Sequence, residues 1–272
     1  MINAIIFSKD RASQLHLLLD SISRNATGIF NISILYKSSN DNFTLAYEKL
    51  MDENIMENIT WVSEQDFKAQ NLRLLESDLP YTCFFTDDDI IYQPIDERQI
   101  IDCLEKDDEV FCFSLRLGKN IQFCYTQNSG NVLVPLEEND DIVKWDWTLH
   151  YFDFGYPLAV DGHIFRTDDI KTLSNKIPYT NPNTFEIALQ IFDNFPKIKM
   201  AAFVHSKLVN NPINIVQNVI HNRKGEIHGI SVEELNKKFL SDEVIDFDTL
   251  DFNNIIGAHQ EIKMNFVKKN TA

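Results

Sequence analysis

The chain has 272 residues, of which 44% are hydrophobic, and it carries a formal net charge of -16 at pH 7. This length and apolar content suffice for the core of one large α/β domain, and they exclude a largely disordered chain. So strong a negative charge repels phosphate backbones and argues against nucleic acid as a partner, whereas a divalent cation can still join an acidic enzyme to a nucleotide diphosphate.

The first third of the chain alternates short apolar runs with segments of helical hydrophobic spacing. This alternation predicts a parallel sheet with helices on both faces. Ligands of such sheets bind beyond the carboxyl ends of the strands, so the polar clusters at 8–11 and 87–89, which follow the first and fourth strands, should share one rim. The predicted strands span residues 2–7, 32–36, 59–62 and 81–85, and the predicted helices span 15–24, 45–51 and 67–75.

Beyond this region the pattern is less regular, and we interpret it as an elaborated second half of the same domain. One helix is predicted for 184–192 and another for 232–239, close to an acidic segment at 242–251. We therefore expect a domain over residues 1–230 and a helical and acidic C-terminal extension over 231–272. Further strands are predicted at 110–117, 121–127, 132–136 and 200–204, and residues 137–157 are predicted to be irregular.

No pair among the four cysteines has CxxC spacing, so a structural zinc site is not expected. Cys83 and Cys112 lie in apolar runs, which indicates buried thiols, and a reduced, cytoplasmic protein fits this usage. The apolar run at the start of the chain is too short for a signal peptide, and no later run is long enough for a membrane span. We therefore expect a cytoplasmic protein without a transmembrane segment, which could still contact a membrane peripherally to reach an acceptor there.

The acidic triplet Asp87-Asp88-Asp89 follows the apolar run at 81–85 and is the strongest chemical signal in the chain. Three adjacent carboxylates repel one another, and a divalent cation relieves that repulsion. Mg²⁺ and Mn²⁺ prefer oxygen ligands and usually take one or two carboxylates together with phosphate oxygens. The alternative is a solvated acidic turn that caps the next helix, but a position at the end of a parallel strand favours the metal site.

The order of two motifs carries a family resemblance: SKDR at 8–11 follows the first strand, and DDD at 87–89 follows the fourth. Over residues 1–215 the chain resembles the GT-A glycosyltransferases, in particular the family-2-like group. The resemblance implies a GT-A-like, Rossmann-related α/β fold in which helices flank a mostly parallel central sheet. It also implies a metal-dependent transfer of a sugar from a nucleotide-diphosphate sugar to the hydroxyl of a saccharide or glycolipid acceptor, with Mn²⁺ or Mg²⁺ as cofactor.

The same resemblance assigns roles to single residues. Asp87 would contact ribose or the donor sugar and share the metal with Asp89, whereas the motif does not define what Asp88 does in the nucleotide-sugar site. A glycine-containing loop that touches the donor is matched by the block at 161–163, for which a plain strand–turn–strand is the alternative. The residues expected to contact the nucleotide sugar are Ser8, Asp10, Arg11, Asp87, Asp88, Gly162 and His163.

Two acidic side chains, Glu186 and Asp161, are candidates for the general base that deprotonates the acceptor hydroxyl. Family-2-like enzymes place an acidic base at a point of the chain comparable to Glu186. The usual ED pair and QxxRW motif of that group do not occur here, so the sequence leaves both candidates open. In the structural alternative, Thr184 caps a helix and Glu186 lies in its first turn, where the helix dipole favours an acid.

His205 follows the strand predicted at 200–204 and is the candidate for a further metal ligand. The resemblance implies this role, since a late histidine completes the metal shell in several metal-dependent GT-A enzymes. A structural histidine is the alternative, because a lone His is more often structural than a ligand.

Two other functions compete with glycosyl transfer. A nucleotidyltransferase also uses acids at strand ends with Mg²⁺, but it usually needs a glycine-rich basic loop early in the chain, and none of the eight glycines lies in the first loop. A non-catalytic nucleotide- or carbohydrate-binding protein on the same fold would have much the same sequence, and donor turnover separates it from the enzyme.

Overall fold

The computed structural model describes residues 1–139, 141–190, 197–216, 225 and 227–269. Its first half alternates strands and helices, as the sequence predicts. The elements of this half are β1 (Ile2–Lys9), α1 (Ala12–Asn25), β2 (Phe30–Lys37), α2 (Asp41–Asp52), β3 (Thr60–Ser63), α3 (Phe67–Leu74), β4 (Tyr81–Thr86), β5 (Asp89–Ile91), α4 (Glu97–Lys106) and β6 (Val110–Ser114).

Short polar side chains determine where three of these helices begin. Asn40, Asp66 and Asp96 each accept a hydrogen bond from a backbone N–H group in the first turn of α2, α3 and α4, respectively. Such caps satisfy donors that have no partner within the helix. The helices therefore start directly after the polar turns that follow the strands.

The second half contains shorter strands and three more helices among the described residues. The helix predicted at 184–192 begins two residues earlier, and its last two predicted positions lie outside the described residues. The elements are β7 (Phe123–Cys124), β8 (Ser129–Gly130), β9 (Glu137–Asn139), β10 (Ile142–Asp146), β11 (His163–Arg166), α5 (Thr167–Lys176), α6 (Pro182–Gln190), β12 (Lys199–Phe203), β13 (Leu208–Asn210), α7 (Val232–Leu240), β14 (Glu243–Ile245) and β15 (Phe266–Lys268).

A sheet of nine strands, in the order β3-β2-β1-β4-β11-β6-β12-β10-β9, forms the centre of the fold. The pairs β1–β2, β1–β4, β2–β3 and β6–β12 are parallel, whereas β10 and β11 are antiparallel to their neighbours. Alternate residues of β1 enter two separate hydrophobic cores, Ile5 and Phe7 on one face and Ala4 and Ile6 on the other. Both faces are therefore covered, and the predicted class, a mostly parallel α/β sheet flanked by helices, is confirmed.

Two predictions for the second half are wrong. Residues 132–136 form no strand, and Val132, Val134 and Leu136 are 72%, 64% and 54% exposed. An apolar alternation needs a partner strand to become part of a sheet, and this segment has none. The segment 137–157, expected to be irregular, instead supplies β9 and β10, which form one edge of the central sheet.

The sequence did not predict β11, which inserts antiparallel between β4 and β6. Ile164 is paired with Cys83 on one side and with Phe113 on the other. Because β11 runs opposite to β4, the turn before it, which contains Asp161, lies beside the carboxyl end of β4. The backbone N–H of Gly162 donates to the carbonyl of Phe84 at 2.8 Å, which fixes that position.

The tail that begins with α7 packs back against the first half. Asn236 donates from its amide to the carbonyl of Asn42 at 3.0 Å, and Lys49 forms an ion pair with Asp242 at 2.7 Å. A parallel bridge also joins His259 to the end of β13. The division at residue 230 stays a prediction, and these contacts show that the extension lies against the domain that precedes it.

All four cysteines are buried free thiols, which confirms the burial expected for Cys83 and Cys112. Among the helices that the structure describes, none combines the length and the apolar character needed to cross a membrane.

Candidate active site

The polar clusters that follow β1 and β4 meet at one rim of the sheet, as predicted. The two strands are parallel neighbours with Phe7 opposite Thr86, so the residues beyond them emerge side by side. The backbone N–H of Lys9 donates to Asp87 Oδ2 at 3.0 Å. Arg11 Nη1 donates to Asp87 Oδ1 and to Asp88 Oδ2, both at 3.0 Å.

Arg11 is a buried cation held by partners on two segments. Its side chain is 8% exposed, and its other guanidinium nitrogens donate to the side chain and the backbone carbonyl of Asn214. A buried charge is tolerated only when it is paired and hydrogen-bonded. Arg11 therefore neutralises much of the charge that Asp87 and Asp88 bring to the rim.

The three acids of the triplet have different environments. Asp87 and Asp88 line the main cleft. Asp89 is fully buried: its Oδ2 accepts from the backbone N–H of Thr86 at 2.9 Å, and its Oδ1 accepts from the amide of Asn210 at 3.1 Å. Asp89 thus closes a turn between β4 and β5, and the structure does not place it in the cleft as a ligand.

Burial controls the charge of these carboxyl groups. Burial and the neighbouring Asp88 raise the pKa of Asp87 to about 6, although Arg11 opposes the shift. The pKa of Asp89 lies well above its usual range, because of burial and the charges of Asp161 and Asp88. Both groups therefore ionise less readily than an exposed aspartate when only these side chains surround them.

Ser8 and Asp10, both in the polar cluster at 8–11, have different surroundings. Ser8 lines the cleft, and its hydroxyl lies 2.6 Å from the hydroxyl of Tyr47. Asp10 has a left-handed backbone, with φ of 58°, and its Oδ1 accepts from the backbone N–H of Ser39 at 2.7 Å. Asp10 therefore ties the first loop to the end of β2, and the structure does not bring it into the cleft.

Asp161 lines the same cleft and lies among several hydrogen-bond donors. Its Oδ1 accepts from the hydroxyl of Thr86 at 3.0 Å, and its Oδ2 lies 3.3 Å from Arg116 Nη1 and 3.4 Å from His259 Nε2. Burial alone would raise the pKa of Asp161, but the hydrogen bond from His259 and the charge of Arg116 outweigh it and lower the pKa to about 2. Asp161 is therefore a stable anion.

Glu186 faces the same cleft and has the opposite electrostatic character. Its Oε1 accepts from the backbone N–H of Val160 at 3.3 Å. Burial and the nearby charge of Asp161 raise the pKa of Glu186 to about 7, against the effect of Arg116. Two acids in one cleft with pKa values pushed far apart suit different chemical roles.

Asn181, and not Thr184, caps the helix that carries Glu186. Asn181 Oδ1 accepts from the backbone N–H of Thr184 at 2.9 Å, and the hydroxyl of Thr184 accepts from the backbone N–H of Asn181 at 3.1 Å. In the structural alternative Thr184 was the cap, whereas the structure gives this position to Asn181. The helix α6 therefore starts at Pro182, before Thr184.

Gly162 and His163 do not line the cleft. Gly162 has φ of 69°, and a Cβ at this position would lie 2.9 Å from a methyl group of Leu208, so the turn requires glycine. His163 is fully buried, with Nδ1 3.1 Å from the carbonyl of Pro157. Burial and the charge of Arg116 lower the pKa of His163 to about 3, so it is a neutral packing residue.

His205 also lies away from the cleft. It is exposed and lines a second cavity, whereas His259 from the tail lines the cleft. Sequence reasoning missed both His259 and Arg116. No motif surrounds either residue, and the only signal for Arg116 was a charged residue at the end of a strongly apolar run.

The acidic residues of the cleft fit a metal ion that takes most of its ligands from phosphate groups. Every carboxylate oxygen of Asp87 and Asp88 accepts a hydrogen bond, and among the described residues no group of three His, Cys, Asp or Glu side chains could hold a metal. Mg²⁺ usually takes only one or two carboxylates and completes its shell with phosphate oxygens and water. Asp87 and Asp88 fit that minimal set, whereas buried Asp89 does not.

The cleft has a volume of about 490 Å³, a size typical of sites that bind small molecules. Asp87, Asp88 and Arg11 line the cleft at the ends of β1 and β4, and the same cleft is lined by Asp161, Glu186 and His259. The mostly parallel α/β sheet flanked by helices, with this cleft at the carboxyl ends of its strands, is the architecture that the motif order implies.

In sequence, the chain is similar to the bifunctional glycosyltransferase pgtA of Dictyostelium discoideum, with 27% identity over 256 residues. The match covers 81% of this chain but only 33% of that protein, so the chain spans about a third of its relative's length. No protein-family model matches the chain. The sequence similarity is therefore to a protein named as a glycosyltransferase, the class that the resemblance implied.

Solved structures resemble the fold more distantly. A fragment of S. aureus TarS is 15% identical with a TM-score of 0.44, and the match covers 76% of this chain and 58% of that one. Glucosyl-3-phosphoglycerate synthase from Mycobacterium tuberculosis, in complex with Mn²⁺, UDP and glucosyl-3-phosphoglycerate, is 12% identical with a TM-score of 0.39, and the match covers 70% and 64% of the two chains.

Proposed function

We propose that the protein is a glycosyltransferase that moves a sugar from a nucleotide-diphosphate sugar to the hydroxyl of a saccharide or glycolipid acceptor. The observation that carries the proposal is the cleft itself, which is lined both by Asp87 and Asp88 with their arginine and by a separate glutamate of raised pKa. The sequence similarity to a glycosyltransferase supports it. Consumption of nucleotide-diphosphate sugars by the purified chain, with a glycosylated product detected by mass spectrometry, tests the proposal.

The donor would lie on the side of the cleft formed by β1 and β4. Ser8 and Arg11 would contact the nucleotide, and Arg11 would also keep Asp87 and Asp88 in place. Asp87 and Asp88 would hold Mg²⁺ or Mn²⁺, which when bound would neutralise charge on the departing diphosphate. Asp89 and Asp10 would support this arrangement through the turns that they close.

Glu186 is the better candidate for the general base. A base works best when its pKa lies near the operating pH, and the pKa of Glu186 is raised to about 7. Asp161, with a pKa lowered to about 2 and three donors on its oxygens, holds protons too weakly for this role. Asp161 would instead orient Arg116 and His259 at the acceptor side.

The pH profile separates these two bases. Only the ionised form of Glu186 accepts a proton, so kcat is expected to rise about tenfold per pH unit below about 7 and to level off above it. The group is protonated below its pKa, which places the loss of activity on the acid side. Initial rates at saturating donor and acceptor check this, and a profile that stays flat from about pH 5 to 8 would point to Asp161.

Metal removal is expected to lower the rate of transfer by ~10²-fold or more, because a cation supplies several kcal/mol at the diphosphate. Rates measured after EDTA treatment and after adding back Mn²⁺ or Mg²⁺ check this. The matched variant Asp88→Asn should need a higher metal concentration for half-maximal rate. Full activity in EDTA would mean that Arg11 alone balances the charge of the diphosphate.

A further inference from the structure

A second cavity, of about 460 Å³, lies outside the candidate active site. The paired strands β5 and β13 separate this cavity from the cleft. At one end of the pair, Asn210 lines the cleft. Beyond the other end, Tyr92 and His205 line the cavity. Three residues of strand span ~10 Å. The tail at 252–256 forms one wall of the cavity, and the same tail then carries His259 into the cleft.

A network of hydrogen bonds fixes the floor of the cavity. The amide of Asn120 donates to the hydroxyl of Ser206 and to the carbonyl of Ile255, both at 2.9 Å, and its oxygen accepts from the backbone N–H of Ser206 at 2.9 Å. The hydroxyl of Tyr92 lies 2.6 Å from that of Ser206. A Cβ on Gly118 would come within 2.7 Å of the Ser206 nitrogen, so only glycine permits this close approach.

The walls combine carboxamides with aromatic rings and lack carboxylates, in a chain with 41 acidic residues. Tyr92 and Phe252 stack in parallel, with ring centroids 5.3 Å apart. Within the described part of the chain, the side chains of Gln122, Asn254 and His205 make no hydrogen bond, so their polar groups are open to a ligand. The carboxamide side chains of the lining are Gln93, Asn120, Gln122, Asn253 and Asn254.

We propose that this cavity binds a sugar unit of the acceptor glycan, remote from the unit that receives the transferred sugar. Carboxamides match the neutral donors and acceptors of sugar hydroxyls, and aromatic rings pack against the apolar faces of sugars. Lys119, the lysine of the lining, is paired with Glu138 at 2.8 Å, which leaves little positive charge for a phosphate. That the bound sugar belongs to an acceptor glycan rests on the proposed function.

Saccharide titration tests the proposal. Maltotriose, mannotriose, N,N′,N″-triacetylchitotriose and N-acetyllactosamine are titrated into the wild-type chain, into the exposed double variant Gln122→Ala/Asn254→Ala and into the cleft variant Glu186→Gln. We expect at least one saccharide to bind, with its Kd raised at least tenfold by the double variant and less than twofold by the cleft variant. A tenfold change corresponds to 1.4 kcal/mol.

Three results would overturn the site: no saccharide binds the wild-type chain, the cleft variant loses as much affinity as the double variant, or inorganic phosphate displaces the saccharide. Thermal unfolding shows whether the double variant is folded. Donor consumption is measured in parallel. If saccharide binding depends on Gln122 and Asn254 while no donor is consumed, the proposed enzyme activity fails and the saccharide site remains.

Discussion

Replacing Glu186 with Gln is expected to lower kcat by ~10²- to 10⁴-fold, with little change in the KM for the donor. Gln has the same shape and keeps an oxygen for the backbone N–H of Val160, so the local structure should persist. It has no carboxylate to accept the proton of the acceptor hydroxyl. Initial rates of transfer, measured with saturating donor and acceptor, give the effect.

A matched control is available on the surface. Glu57→Gln makes the same chemical change at an exposed position, and it should leave both kcat and KM as in the wild type. If Glu186→Gln retained more than a tenth of the wild-type rate, the base would have to be sought elsewhere. Loss of the acid limb of the pH profile in this variant would identify Glu186 as the titrating group.

Replacing Arg11 with Gln is expected to destabilise the fold by ~3–5 kcal/mol, because it leaves two buried carboxylates without their cation. Asp87 and Asp88 each lie 3.0 Å from the guanidinium. Without Arg11 the pKa of Asp87 should rise further, since burial and Asp88 would then be opposed only by the backbone hydrogen bond from Lys9. Protonation removes the uncompensated charge of Asp87 at low pH, so the loss should be larger at pH 8 than at pH 5.

Urea unfolding at the two pH values measures this loss. Arg24→Gln is the matched control, because the ion pair of Arg24 with Asp20 is on the surface, where such pairs contribute ~1 kcal/mol or less. Adding Asp88→Asn to Arg11→Gln should recover part of the stability, because it removes one of the two uncompensated charges. If Arg11→Gln were as stable as the control, the guanidinium would not be what neutralises the rim.

The difference between Asp88 and Asp89 shows why the sequence could predict acids at the rim of the sheet but not which of them face the cleft. A carboxylate triplet after a buried strand is visible in the sequence, because strand burial and the polarity of the next turn are local properties. The direction of each side chain depends on the turn into β5. There, Thr86 and Asn210 draw Asp89 inward and leave Asp88 at the cleft.

The histidines show the same limit. His205 was selected by its position after a strand, yet it borders the second cavity, while His259 reaches Asp161 from the far end of the chain. The order of strands and helices in the first half, the shared rim of β1 and β4 and the presence of acids there could all be read from the sequence. They follow from hydrophobic spacing within short segments.

Only the tertiary structure decided that β11 enters the sheet antiparallel, that Arg11 neutralises the acids of the rim, and that Asp161 and Glu186 hold protons with very different strength. These features depend on burial and on partners that are distant in the sequence. The free energy of a buried charge depends on every group packed around it. A local sequence pattern does not identify neighbours that are distant in the chain.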